Sequence, residues 1–139
     1  MAIDKSRIQQ HLQSEVYCRL GISTVHGIGV FAIREIPKGV KPLVSLLKIE
    51  EFSFSKEEVN QFLPSVRQEI EAFCYYDSKE YLIPSIGLNS MNLAFYMNHS
   101  KSPNVEYLEN GDLVALRDIK VDEELFFDYD EAFDEVHSF

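Results

Sequence analysis

A chain of 139 residues with a hydrophobic share of 45% and a charged share of 26% has room for one domain around a single core, and reads as a soluble globular protein. Its formal net charge of −10, from 23 Asp plus Glu against 13 Lys plus Arg, disfavours direct nucleic-acid binding, which needs clustered cations, and suits a basic partner. Cys18 and Cys74 make no CxxC pair, so neither a disulfide framework nor a structural zinc site is expected, and no apolar run approaches the ~20 residues of a membrane span.

The first fifteen residues, MAIDKSRIQQHLQSE, lack the apolar stretch of a secretory signal, so an intracellular location with reduced thiols is expected. Residues 1–14 read as an arm or a short polar helix. From Val16 the pattern turns to short strands, VYCRLGIS and VHGIGVFAIREI, closed by Pro37-Lys38-Gly39, with VKPLVSLLKI read as further strand. Ser55 with Glu58 makes a capping box, and Phe62, Val66, Ile70 and Phe73 recur at helical spacing, which predicts one helix over about 55–74. CYYDSKEYLIP predicts a hairpin turning at Asp77-Ser78, and residues 92–97 one short helical turn. VEYLENGDLVALRDI predicts a second hairpin with a type I′ turn at Asn110-Gly111, and EELFFDY the last strand. Short strands around a helical insert give an α+β, mostly β fold class, with no linker to mark a domain boundary.

Three motifs stand out. Gly27-Ile28-Gly29-Val30-Phe31-Ala32 matches a loose dinucleotide pattern, but that pattern needs a following helix to receive phosphates, and the segment ends at Pro37 and Gly39. It reads either as a glycine-containing turn or as a place where a ligand approaches the backbone. Asn98-His99-Ser100-Lys101-Ser102-Pro103-Asn104 reads either as a loop whose Asn side chains satisfy local backbone groups or as part of a site. His99 has no second His or carboxylate at zincin spacing, so no metal is expected. In Glu124-Leu125-Phe126-Phe127-Asp128-Tyr129, alternation puts Leu125, Phe127 and Tyr129 on one face, as a buried aromatic strand or a catalytic one.

Taken in order, Gly27–Gly29, N-H-S-K-S-P-N at 98–104 and E-L-F-F-D-Y at 124–129 resemble the SET domain family of protein lysine methyltransferases, over roughly Tyr17 to Phe133. The resemblance implies the SET-domain (β-clip) fold, with a helical insert at about 50–90 helping to line the substrate groove and a C-terminal pseudoknot, residues 15–139 being the catalytic domain. It implies S-adenosylmethionine as cofactor, contacted by Gly27, Ile28 and Gly29 through backbone and by Asn98 and His99 at its adenine end and amino group. Tyr129, also beside the cofactor, matches the family's active-site tyrosine. Phe127 stands where members carry Phe or Tyr; Phe leaves room for a di- or trimethyl product. The partner implied is a basic, lysine-containing protein or peptide such as a histone-like tail, with no direct nucleic acid, no membrane and a possible homodimer.

The implied chemistry suits these residue types. A neutral lysine amine displaces the methyl group in line, which demands alignment more than a strong base. Free lysine has a pKa of about 10.4, so a cationic cofactor and a desolvated aromatic channel must favour the deprotonated amine. Departures from the family pattern leave a second reading, a SET-derived module that binds cofactor or peptide with weak catalysis. Phe95 replaces a frequent Arg, Lys101 replaces a common Cys, the cysteine-rich zinc flanks are missing, and KPLVSLLKIEEF lacks the usual Tyr of the lysine channel. Phe133 or Phe139 of the tail, or a partner subunit, would then complete that wall.

Overall fold

The structure, a computed structural model, describes residues 3–130. Contacts divide the chain into two compact units, residues 1–46 with 96–139, and residues 47–95. No Gly- or Pro-rich linker marks either crossing, which is why composition alone offers no boundary there.

The first unit begins with helix α1 (Lys5–Ser14), capped by Asp4, whose carboxylate accepts the Arg7 N–H at 2.9 Å. None of its residues is buried, as its polar sequence requires. Strands β1 (Cys18–Ile22) and β2 (Ile28–Ala32) form an antiparallel hairpin with Cys18 opposite Ala32 and Ile22 opposite Ile28. The sheet continues through β9 (Glu124–Phe127), antiparallel to β2, to the two-residue strand β6 (Asn98–His99), parallel to β9. A separate hairpin pairs β7 (Val105–Tyr107) with β8 (Leu113–Ala115). Val30, Ala32, Ile36, Val105, Ile119 and Leu125 are fully or almost fully buried and form the core under these strands.

Two expectations fail here for local reasons. Residues 40–49 form no strand. Pro42 offers no N–H to a ladder, and the segment instead makes isolated bonds, Gly39 N–H to Ala115 O and Ala115 N–H to Val40 O, both 2.9 Å. The β7–β8 turn is not type I′, which needs positive φ at both central residues. Only Gly111 has it (φ 88°), and Gly111 N–H bonds Leu108 O at 2.9 Å while Leu108 N–H bonds Asp112 O at 2.8 Å. The loop is therefore three residues long, with glycine in the left-handed position.

The second unit holds β3 (Glu51–Ser55), β5 (Glu80–Pro84) and β4 (Tyr75–Tyr76) in one antiparallel sheet, with β5 central. The capping box at Ser55 and Glu58 forms, but it opens only the short helix α2 (Lys56–Asn60). A second helix, α3 (Pro64–Phe73), starts afresh with proline in its first turn. The single helix expected over 55–74 is broken at 61–63 because Pro64 cannot donate and disfavours helical backbone at Leu63. The break also shifts the helical phase. Val59, Ile70, Cys74 and Tyr81 make this unit's core, while Phe62 and Val66 are exposed. Residues 93–96 form one 3-10 turn. No helix among the described residues is long and apolar enough to cross a membrane.

Candidate active site

All three sequence motifs converge in the first unit, around β9. Asn98 lies opposite Phe126 and His99 opposite Phe127, while Val30 of β2 pairs with Leu125. The segment after β6 then folds back over the same strand. Ser100 N–H bonds Phe127 O and Asn104 N–H bonds Phe126 O, both at 3.1 Å. Asn104 is almost wholly buried and uses its side chain as a further strand partner. Its Oδ1 accepts the Phe126 N–H at 2.8 Å, and its Nδ2 donates to Glu124 O at 2.8 Å. Residues 98–104 thus bracket β9, the local form of the expected C-terminal pseudoknot.

His99 is buried, and its Nδ1 accepts the Tyr129 N–H at 2.9 Å. A neutral ring must then carry its proton on Nε2. The Tyr129 hydroxyl donates to Met97 O at 2.5 Å, and its ring lies 5.2 Å from His99 and 4.4 Å from Phe127. Phe127 in turn meets the Tyr107 ring edge-on at 5.3 Å. The expected strand EELFFDY ends at Phe127 and Tyr129 stands in helical backbone, so the two rings meet beyond the strand rather than by alternation along it. Burial pushes the Tyr129 phenol up to about 12, so it stays protonated at neutral pH and acts as a hydroxyl donor.

Gly27, Ile28 and Gly29 sit at the start of β2, and the two glycines meet different surroundings. Gly27 has φ 50° and open space where a Cβ would stand. At Gly29 a Cβ would lie 2.2 Å from Glu124 Oε2. The residue is glycine there because a carboxylate occupies the space. Glu124 is 9% exposed; its Oε1 accepts the Ser23 hydroxyl at 2.8 Å and its Oε2 accepts Asn98 Nδ2 at 2.9 Å. Asn98 Nδ2 also reaches His26 O at 2.9 Å and Ile28 O at 3.3 Å.

Sequence reasoning missed Ser23, the Glu124 carboxylate and the Asn104 side chain. Ser23 carried one signal: a serine four residues before a glycine can cap a turn, and its Oγ accepts the N–H groups of Val25 and His26. The other two depend on contacts across the fold. His99, Asp128 and Asp130 also come together, with one ligand-type atom from each within 4.8 Å of the others, a grouping linear spacing did not reveal. Lys101 pairs with both carboxylates there, and His99 Nδ1 is already an acceptor. Phe133 and Phe139 lie outside the described residues.

The SET domain family profile matches residues 27–130. A search of curated proteins finds no match. Among solved structures, a humanized mutant of the Chaetomium thermophilum Polycomb Repressive Complex 2 bound to GSK126 aligns with a TM-score of 0.55 and 24% identity, covering 93% of this chain and 16% of that one. The same complex bound to GSK343 aligns with a TM-score of 0.55 and 25% identity, covering 91% and 17%. This chain therefore spans only about a sixth of those chains. A Plasmodium falciparum chain named as a candidate histone methyltransferase is covered over 97% of its length, with 90% of this chain, at 21% identity and a TM-score of 0.49, too low to argue from. The profile match over most of the length, with the β9-centred fold around it, means that the chain belongs to the SET domain family.

Proposed function

We propose that residues 15–139 form an S-adenosylmethionine-dependent protein lysine N-methyltransferase domain, with residues 1–14 as an arm and about 50–90 as its insert. The observation that carries the reading is the junction of Tyr129 with Met97 and His99. A protonated, half-buried phenol is held by a main-chain carbonyl beside two further aromatic rings. Such a group orients an amine or a methyl donor and cannot serve as a strong base at neutral pH.

The residues present fit the cofactor. Gly27 leaves its backbone open on the Cβ side, so the main chain of 27–29 can be approached closely. The faces of Phe127 and Tyr129 suit a cationic sulfur and a cationic amine. Gly27, Ile28, Gly29 and His99 would hold it with Tyr129 beside them, Asn98 contributing by main chain and by fixing the loop. When bound, S-adenosylmethionine supplies an electrophilic methyl group on sulfur. The protein's part is to exclude water, lower the lysine pKa in an aromatic setting and fix the amine in line. Phe127 brings no hydroxyl to the site, which favours di- or trimethylation.

The net charge of −10 favours a basic, lysine-rich protein or peptide, a histone-like tail being the first to test. Labelled methyl transfer to a histone mixture and to a cytosolic extract tests the activity, with mass spectrometry of the product. Labelled protein carrying two or three methyl groups is expected. A protein whose melting temperature rises with cofactor but which labels neither mixture would overturn catalysis and leave a binding module.

A further inference from the structure

We propose that Ser23 and Glu124 are positioning residues: a half-buried hydroxyl–carboxylate latch that holds the Ser23–Ile28 turn in the shape that receives the cofactor. The inference rests on the function proposed above and names the part of that site which sets cofactor affinity. The two residues are 101 positions apart, yet Ser23 Oγ donates to Glu124 Oε1 at 2.8 Å. The same oxygen accepts the N–H groups of Val25 at 3.0 Å and His26 at 3.2 Å, and Ser23 N–H bonds Gly27 O at 2.8 Å. One serine therefore ties three points of the turn to one fixed anchor. The anchor cannot drift, because the second carboxylate oxygen is held by Asn98 Nδ2, which also grips the turn from the far side at His26 O and Ile28 O.

Geometry fixes the direction of control. Gly29 yields its side-chain volume to Glu124, while Gly27, at the outer end of the turn, has open space and a left-handed backbone that glycine adopts freely and as freely leaves, so the bonds around it set the turn's shape. Without the latch the turn samples other shapes, and cofactor affinity falls by the fraction of time the competent shape is lost.

The test uses the full chain and S-adenosylhomocysteine as probe. Ser23→Ala should weaken binding by calorimetry about tenfold and raise the cofactor KM similarly, with kcat at saturating cofactor changed less than about twofold. Ser23→Thr, which keeps the hydroxyl, should restore both. Independently of any ligand, amide exchange at Val25, His26 and Gly27 should accelerate in Ser23→Ala and recover in Ser23→Thr. Wild-type affinity and wild-type exchange in Ser23→Ala would overturn the latch, and so would a lowered melting temperature with cofactor affinity unchanged. A wild-type protein that fails to bind S-adenosylhomocysteine would instead sink the methyltransferase reading, with the latch's role in affinity, while the exchange data still decide whether Ser23 holds the turn.

Discussion

Replacing Gly29 with alanine should cost far more stability than the same change two residues earlier, at Gly27. The added Cβ at position 29 would lie 2.2 Å from Glu124 Oε2, 2.8 Å from its Cδ and 3.2 Å from Asn98 Nδ2. The carboxylate is bonded on both oxygens, so moving it aside sacrifices the bonds from Ser23 and Asn98 together. One half-buried and one buried bond to a carboxylate, with the groups they leave unsatisfied, amount to about 3–5 kcal/mol. Gly27 meets nothing, so alanine there bears only the left-handed backbone cost of about 1–2 kcal/mol. Against a total stability of about 5–15 kcal/mol, the first change is severe and the second tolerable. Urea unfolding followed by circular dichroism reads both, and melting should drop by roughly 10–20 °C for Gly29→Ala. A double-mutant cycle isolates the cause, because in a Glu124→Ala background the Gly29→Ala cost should shrink to about 1 kcal/mol or less. An equal cost in both backgrounds, or a Gly29→Ala cost no larger than that of Gly27→Ala, would refute the clash.

Tyr129→Phe removes the hydroxyl that bonds Met97 O and should lower turnover by about 10²-fold or more while the thermal shift with S-adenosylhomocysteine persists; turnover within tenfold of wild type would count against Tyr129 as the catalytic tyrosine. Phe127→Tyr adds a hydroxyl to the ring 4.4 Å from Tyr129, and mass spectrometry should find the product distribution moved toward monomethyl; an unchanged distribution would remove Phe127 from product control. Burial raises Cys18 to about 12 and Cys74 to about 11, against an ordinary 9.0, so both thiols should resist a disulfide reagent at pH 8 until the protein unfolds. Because the folded values are the higher ones, the associated stability is complete below pH 9 and is lost as pH rises toward 12. The urea midpoint should therefore fall across that window, and a flat midpoint would contradict the burial.

Much of this was legible in one dimension because it depends on neighbours along the chain. Short strand-forming runs closed by turn residues locate β2, β5 and β9, since turn chemistry is set by neighbours along the chain. Ser55 and Glu58 announce a helix start because a capping box is a local exchange of bonds. The break before Pro64 was also available in principle, and the helical spacing of Phe62 and Val66 masked it. The three motifs identify the family and mark Asn98, His99, Phe127 and Tyr129 as residues to examine. What they could not convey is which partner each side chain takes. The amide of Asn98 is spent on the loop and on Glu124, Gly29 is small because a carboxylate from another strand fills its space, and Asn104 stands in for a strand. Those assignments join residues up to 101 positions apart, and no local pattern encodes them. Composition, periodicity and motif order determined the class of fold and the family. Only the tertiary structure decided how β9 is held by β2, β6 and Asn104, because hydrogen-bond partners across a sheet are chosen by proximity in space.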